Sequence, residues 1–226
     1  MKILVISPHP DDAEIGMGAT IAKSSFNGNE VYIIDLTNGE PTPFGTVKKR
    51  LKEAKKASKI LKLKERIILD FPNRFLEDKI EYRKKIAEHI RRIRPDILFI
   101  PYNFDAHPDH IAAYYLGIGA RFYSKLTKSD IKGEPFFTQK VFFYFSSHFK
   151  LSINPSFIFP IDKKFFLKKI KAIKVYKSQF SYKPNNRVIE TIIENGKYWG
   201  NLVNSDFGEP FISPEPIPIK NLQWLI

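Results

Sequence analysis

Short continuous apolar runs alternate with longer amphipathic segments through the first 130 residues of the chain. Each apolar run is bounded by proline, glycine or charged residues and has the length of a buried strand. With two later runs, they predict strands at Met1–Ser7, Glu30–Leu36, Arg66–Leu69, Asp96–Pro101, Val141–Phe145 and Ser156–Phe159. Segments with apolar side chains three or four residues apart predict helices at 13–27, Thr46–Leu61, 79–93, 109–123, 163–177 and 187–203.

This alternation indicates the fold class. Strands that are apolar throughout are covered on both faces, and strands that alternate with helices form a mostly parallel sheet. We therefore expect an α/β protein, a Rossmann-like three-layer sandwich around a mostly parallel central sheet. No repeat or linker divides the chain, so we expect a single domain over residues 1–226. The proline-rich end, Pro210–Ile226, is expected to be an extended arm on the surface.

Composition narrows the class of protein. With 43% hydrophobic and 27% charged residues, the 226-residue chain has the profile of a globular domain. It contains no cysteine, which excludes disulfides, thiolate zinc sites and a cysteine nucleophile. The first apolar run, Ile3–Ile6, is too short for a signal peptide or a membrane span. We expect a soluble, cytoplasmic protein.

The formal net charge of +13 raises the question of a nucleic-acid partner. Most lysines lie at helical spacing between apolar residues, as in KKRLKEAKKASKILKLK, which is typical of the solvated face of an amphipathic helix. No nucleic-acid-binding motif accompanies the charge. The positive field therefore favours an anionic small molecule as a partner, and neither nucleic acid nor a membrane is expected.

Two short segments concentrate the residues that carry chemistry. PHPDDAE (residues 8–14) follows the first predicted strand, and DAHPDH (residues 105–110) follows the strand DILFIP. They contain three of the five histidines, and prolines stiffen both. Because open α/β sheets place their sites at the carboxyl ends of the strands, both segments face one crevice if these two strands are neighbours.

The residue types in the two segments point to a metal. Histidine and carboxylate donors without cysteine are typical of a catalytic rather than a structural zinc site. Three protein ligands leave a position for a water molecule, whose pKa the metal lowers to about 7. The segments contain enough histidine and aspartate to supply the ligands, a carboxylate base and a proton donor.

The paired motifs PHPDDAE and HPDH resemble those of the PIG-L/LmbE-like deacetylases. The resemblance covers most of the chain, including IGMGATIAK after the first motif and YKSQF late in the chain. It also includes a GT…R…EA pattern formed by Gly45, Thr46, Arg50, Glu53 and Ala54. It implies an LmbE-like fold and zinc-dependent removal of an acetyl group from an N-acetylglucosamine-type conjugate. The likeness is greatest to the bacillithiol-type branch, whose substrate is N-acetylglucosaminyl malate.

The resemblance also implies residue roles. The zinc ligands are His9, Asp12 and His110, with Fe²⁺ or another divalent ion as the alternative metal. Asp11 is the general base for the attacking water. His107 stabilises the oxyanion or protonates the departing amine, and Asp109 holds the orientation of His107.

Two further residues have weaker assignments. Glu14 contacts a sugar hydroxyl or, in the first turn of a helix, complements the helix dipole. Arg50 binds an anionic group such as a malate carboxylate, or is one more solvated charge. Ala106 replaces an arginine that bacillithiol-type members often carry, and Phe207 occupies the position of a late tyrosine.

Several alternatives stay open. The same site could serve an amidase that acts on a larger glucosaminyl conjugate, or the chain could be a non-catalytic anion- or nucleic-acid-binding protein. The resemblance favours a homo-oligomer, a trimer or a hexamer. His89 and His148 are expected at the surface or in packing, and Gly16-Met17-Gly18 is not expected to bind a dinucleotide. Tyr198 and Trp199 are expected to pack or to form a subunit contact, with the mouth of the pocket as the alternative place for either.

Overall fold

A computed structural model of the protein describes residues 1–146, 152–180 and 186–218. Its central sheet contains β1 (Lys2–Ser7), β2 (Glu30–Thr37), β3 (Glu65–Phe71), β4 (Ile97–Pro101) and β5 (Lys140–Tyr144). The spatial order is β3-β2-β1-β4-β5, and every neighbouring pair is parallel. A separate antiparallel pair is formed by β6 (Phe157–Ile161) and β7 (Phe207–Phe211).

The described helices cover both faces of the central sheet. They are α1 (Asp12–Phe26), α2 (Val47–Leu61), α3 (Ile80–Ile93), α4 (Pro108–Ser124), α5 (Lys163–Ile173), α6 (Lys177–Phe180) and α7 (Asn186–Asn201). Helices α1, α2 and α5 pack together on one face, and α3 packs against α4 on the other. Helix α7 lies against β7 and β6.

The apolar runs of the sequence are buried on both sides. In β1, Ile3 and Val5 join the core on the α1 face, whereas Leu4 and Ile6 join the core on the α3 face. This explains why the strand reads as continuously apolar rather than alternating. The two cores fix β1 between β2 and β4, where the strand order reverses.

The predicted three-layer α/β class is confirmed; element bounds before residue 160 differ by one or two residues, and the larger differences lie after it. The predicted helix 163–177 ends at Ile173, and the short helix α6 follows. The helix predicted to reach residue 203 ends at Asn201. The predicted arm is wrong at its start, because Pro210 and Phe211 belong to β7 and Ile212 bridges to Phe143 of β5. Residues 219–226 of the arm, like His148, lie outside the described residues.

Within the described residues, no helix combines the length and the apolar character needed to cross a bilayer.

Candidate metal centre

The two motif segments meet at the carboxyl edge of the sheet between β1 and β4. These strands are direct neighbours, with Ile3 beside Ile97 and Val5 beside Phe99. The first segment joins β1 to α1, and the second joins β4 to α4. The chain therefore brings both histidine-rich loops to the switch point of the sheet, where α/β proteins form their crevices.

Two histidines and one aspartate converge on a single point. Asp12 Oδ2 lies 3.0 Å from His9 Nδ1 and 3.3 Å from His110 Nε2. All three residues are buried, and their ligand atoms lie within 4.8 Å of one another. His9 also forms a second group of three possible ligands with His107 and Asp109.

Each histidine of this cluster is held by a carboxylate on its other ring nitrogen. His9 Nε2 lies 3.0 Å from Asp109 Oδ2, and His110 Nδ1 lies 2.8 Å from Asp105 Oδ2. Such outer carboxylates fix the ring and the tautomer of metal-binding histidines. With Nδ1 of His110 donating to Asp105, Nε2 is the atom available to a cation. The donor set therefore fits a divalent metal with two nitrogen ligands and one oxygen ligand.

Asp105 was given no role by the sequence analysis. Its Oδ1 accepts the backbone N–H of His107 at 3.0 Å while its Oδ2 bonds to His110. It therefore orders the loop and a candidate ligand together. Its place at the start of DAHPDH, five residues before His110, was the available signal.

The carboxylates raise the pKa of both histidines. Burial alone would lower the pKa of His9, but hydrogen bonds to Asp109 and Asp12 raise it to about 9. Burial opposes charge on His110 in the same way, and the nearby Asp12 and the Asp105 hydrogen bond raise its pKa to about 10. Without a metal, protons stabilise the cluster, so a cation that binds there must displace them.

Asp11 precedes Asp12 in the chain and has different surroundings. Its φ of 131° is unusual for a residue other than glycine. Burial raises the pKa of its carboxyl to about 7, although Arg50 opposes the shift with an ion pair of 3.0 Å to Oδ2. A carboxyl that titrates near neutral pH suits a general base.

His107 caps the N-terminus of α4. Its Nδ1 accepts the backbone N–H of Asp109 at 3.2 Å, so the neutral ring carries its proton on Nε2. The ring stacks on His110 with 4.9 Å between centroids. Asp109 contacts His107 through its backbone N–H, while its carboxylate binds His9, so the expected orienting role of Asp109 rests on the backbone contact.

Glu14 is fully buried and does not line the cavity beside the metal ligands. Its Oε1 accepts hydrogen bonds from Arg66 at 2.6 Å and from the Tyr176 hydroxyl at 2.8 Å. Arg66 also binds Asp35 of β2, with Nε 2.5 Å from Oδ2. Glu14 therefore contacts protein groups inside the core, and Tyr176 of the YKSQF segment provides one of them.

Arg50 is only 2% exposed, so the alternative of a solvated charge is wrong. Its Nη2 pairs with Asp11, while Nε and Nη1 have no hydrogen-bond partner among the described residues. The residue lines the cavity. Gly39 makes room for it, since a Cβ there would lie 3.0 Å from Arg50 Nε and φ is 76°. Buried donors without acceptors are costly, so these two atoms can bind an acceptor that enters the cavity, whether water or a ligand.

The Gly16-Met17-Gly18 segment forms a kink in α1. Met17 has non-helical angles, φ −145° and ψ 25°. The carboxylate of Glu209 in β7 then accepts the backbone N–H groups of Ala19 at 3.2 Å and Thr20 at 2.7 Å. Lys169 of α5 pairs with Glu209 at 2.6 Å. The glycines therefore serve the packing of the kinked helix, and nothing in this geometry resembles a dinucleotide-binding turn.

The candidate metal ligands open into a large cavity of about 1280 Å³. Asp11, Arg50, His107 and Arg74 line it near these candidate ligands, and Lys169, Tyr198, Trp199 and Glu209 line it near α7. Of the alternatives given for Tyr198 and Trp199, the structure places both residues in the lining of the cavity. Phe207 is not among the lining residues and stacks on Phe166 with 3.9 Å between ring centroids. It is partly buried, packs against the hydrophobic core and does not lie beside the candidate metal ligands.

Comparison with known proteins places this chain among deacetylases. Residues 4–120 match the family described as "PIG-L: GlcNAc-PI de-N-acetylase". A diacetylchitobiose deacetylase of Thermococcus kodakarensis is 34% identical over 194 residues, 79% of this chain and 70% of that protein. A probable N-acetyl-alpha-D-glucosaminyl L-malate deacetylase 2 of Bacillus anthracis is 26% identical, over 80% of this chain and 82% of that protein. The crystal structure of a conserved protein from Thermus thermophilus superposes with a TM-score of 0.89 at 39% identity, over 96% of both chains.

Proposed function

Because the chain belongs to the GlcNAc-PI de-N-acetylase (PIG-L) family, we propose that it is a metal-dependent hydrolase acting on an N-acetylglucosamine-type conjugate. The reaction we propose is cleavage of the N-acetyl amide to give acetate and a free amine. The observation that carries the proposal is the buried cluster of His9, Asp12 and His110, with Asp11 beside it in the same cavity. Zinc is the metal we propose, and Fe²⁺ is the alternative.

Each neighbouring residue has a role in this reaction. A divalent cation held by His9, Asp12 and His110 would polarise the amide carbonyl and activate water. Asp11 accepts a proton from the water that attacks the acetyl carbon. His107 presents its Nε2 proton to the amide nitrogen as the carbon–nitrogen bond breaks. Arg50, paired with Asp11 and lining the cavity, is proposed as the contact for a substrate oxygen.

The names of two relatives indicate which substrates to consider. One acts on diacetylchitobiose and the other is named for N-acetylglucosaminyl malate, so both carry the same acetylated sugar. We propose this sugar as the common element of the substrate, with the malate conjugate of the bacillithiol-type branch and chito-oligosaccharides as the candidates. A cytoplasmic location and a trimeric or hexameric assembly belong to the same proposal.

Acetate release and metal content test the proposal directly. The protein purified with its native metal is incubated with N-acetylglucosamine, diacetylchitobiose and N-acetylglucosaminyl malate, beside Asp11→Ala and His110→Ala variants. We expect acetate from at least one substrate and its loss in both variants. His89→Ala is the matched control, because His89 lies half-buried on α3 and outside the site. A protein that binds no metal would contradict the proposal.

The size of the cavity supports a second candidate, an amidase that acts on a larger glucosaminyl conjugate. Pockets for drug-sized ligands are about 300–1000 Å³, and this cavity of about 1280 Å³ exceeds that range. One tightly bound metal per chain without acetate release from any of the three sugars would favour the amidase. Assays with longer acyl groups on the same sugar would then identify it.

A further inference from the structure

The part of the cavity against α7 is built from elements that carry none of the metal ligands. Its walls include Thr191, Asn195, Tyr198 and Trp199 of α7, with Lys169 of α5 and Glu209 of β7 opposite them. We call these six residues the outer compartment. The metal ligands lie instead on the loops after β1 and β4 and on the first turns of α1 and α4. One cavity therefore contains both the candidate metal site and a second region that is formed by different helices and strands.

Two adjacent aromatic rings, the exposed Tyr198 and the partly buried Trp199, are the main feature of this region. Tyr198 is 57% exposed although it lies in a cavity wall, and Trp199 meets it edge-on with 4.9 Å between centroids. Large aromatic side chains left in contact with solvent mark binding surfaces more often than solitary exposed residues do. Asn195 and Thr191 add an amide and a hydroxyl one and two turns away on the same helix. A flat apolar surface beside neutral polar groups suits a ring with apolar faces and a hydroxylated rim.

The charges of the outer compartment and its borders argue against an anionic ligand there. The Lys169 ammonium is neutralised by Glu209 at 2.6 Å, and both side chains are buried. Helix α7 adds three charged residues to the lining of the cavity, Arg187, Glu190 and Glu194. Among the described residues of this part of the cavity, two cations stand against three carboxylates, so the outer compartment and its borders carry no net positive charge of their own.

We infer that the outer compartment is a subsite for a second, uncharged sugar ring, stacked on Tyr198 and Trp199. The inference rests on the proposed function, because it assigns the first ring to the metal centre. It favours a chito-oligosaccharide over N-acetylglucosaminyl malate as the substrate.

Trp199 provides a binding signal that does not depend on turnover. The chain has two tryptophans, and Trp224→Phe leaves Trp199 as the only one. In an Asp11→Asn, Trp224→Phe protein, we expect diacetylchitobiose to change the tryptophan emission and N-acetylglucosamine at equal concentration to leave it unchanged. Unchanged emission with diacetylchitobiose, at concentrations that saturate turnover by the parent enzyme, would overturn the inference.

Kinetics of Tyr198 variants give the second test. We expect Tyr198→Ala to lower kcat/KM for diacetylchitobiose about tenfold, the factor that corresponds to about 1.4 kcal/mol. The value for N-acetylglucosamine should stay within about twofold. Tyr198→Phe keeps the ring and is the matched control, so it should retain the activity on the disaccharide. An equal loss on both sugars would overturn the inference.

The two tests separate this inference from the proposed function. An emission change with the disaccharide, but no hydrolysis of any sugar, would support the subsite and contradict the deacetylase. Hydrolysis of both sugars with equal efficiency and no emission change would support the deacetylase and overturn the subsite.

Discussion

Asp11 and Asp12 are adjacent in the chain, yet their carboxyl groups have opposite electrostatic surroundings. Burial would raise the pKa of Asp12, but the facing His110 and His9 hold it well below its usual range. The pKa of Asp11 is raised to about 7 instead. Neighbouring carboxylates whose pKa values are pushed apart commonly divide the tasks of a catalytic site. Here Asp12 suits a permanently ionised ligand and Asp11 suits a proton acceptor.

This division predicts different consequences for two similar substitutions. Asp11→Asn should lower kcat by about 10²–10⁴-fold, the usual contribution of a general base, and leave metal content unchanged. Asp12→Asn should lose the metal, because it removes the only oxygen donor of the cluster. Metal content by elemental analysis, measured beside kcat for each variant, distinguishes the two. Equal metal loss in both variants would contradict the assignment.

Asp105 allows a second prediction at the same scale. Its carboxylate bonds to His110 Nδ1 at 2.8 Å, and loss of such an outer partner typically weakens metal binding by about 10–100-fold. We expect Asp105→Asn to show this weakening in competition with a chelator of known affinity. Asp130→Asn is the control, since Asp130 is exposed and pairs only with Lys84 among the contacts described. Metal affinity equal to the parent in Asp105→Asn would show that the hydrogen bond does not support the ligand.

Individual residues of the site were predictable to different degrees. The ligand cluster could be expected from spacing and family resemblance, because local motifs directly after two strands determine it. The environments of Glu14 and Arg50 could not, since they depend on distant partners. Arg66 and Tyr176, the partners of Glu14, lie far from it in the sequence. Gly39, which makes room for Arg50, lies on the loop before its helix. Periodicity alone assigns a lysine- and arginine-rich helix to solvent and does not show that Arg50 points inward.

At the scale of elements, the kink of α1 links the metal-site loop to the last strand. The break at Met17 exposes backbone N–H groups that the Glu209 carboxylate accepts, and Lys169 neutralises that carboxylate. The first segment of α1 carries Asp12, so β7 supports the metal site without contacting it. This contact runs from residue 209 back to residues 19 and 20, a separation that no local pattern reveals.

We expect Glu209→Ala to destabilise the protein by about 3–5 kcal/mol, because it leaves a buried ammonium without its counter-ion. For a chain of this size, each kcal/mol lowers Tm by roughly 2–4 °C. Glu209→Gln should lower the free energy of unfolding less, since its amide oxygen still accepts an N–H from α1. The double variant Lys169→Met, Glu209→Gln should recover part of the loss, as it removes the unpaired charge. Thermal unfolding measures all three, and a Tm for Glu209→Ala equal to that of the parent would contradict this account.

The elements that were predicted wrongly share a physical cause. The pattern of 163–177 continues past Ile173, but Tyr176 turns inward to Glu14 and the chain leaves the helix. Strand β7 contains Gly208 and Pro210, and both residue types disfavour a central strand. They are tolerated here because β7 pairs only with β6, in a two-stranded sheet where each strand is an edge. Tertiary contacts therefore override local preference where the chain closes over the site. Strands β1, β2, β4 and β5, which are buried on both faces, keep the apolar signal that their sequences carry.

At the scale of the molecule, a bound cation should cross-link the two halves of the sheet and stabilise the fold. His9 and Asp12 follow β1, and His110 follows β4, so one ion would join loops nearly 100 residues apart. A ligand that binds only the folded state stabilises it, by about 2.7 kcal/mol at 100 times its dissociation constant. We therefore expect Zn²⁺ added to chelator-treated protein to raise Tm by roughly 5–10 °C. His110→Ala should abolish the rise while His89→Ala keeps it. Equal increases in Tm for both variants would mean that the ion binds elsewhere, which would contradict the mechanism proposed for this cavity.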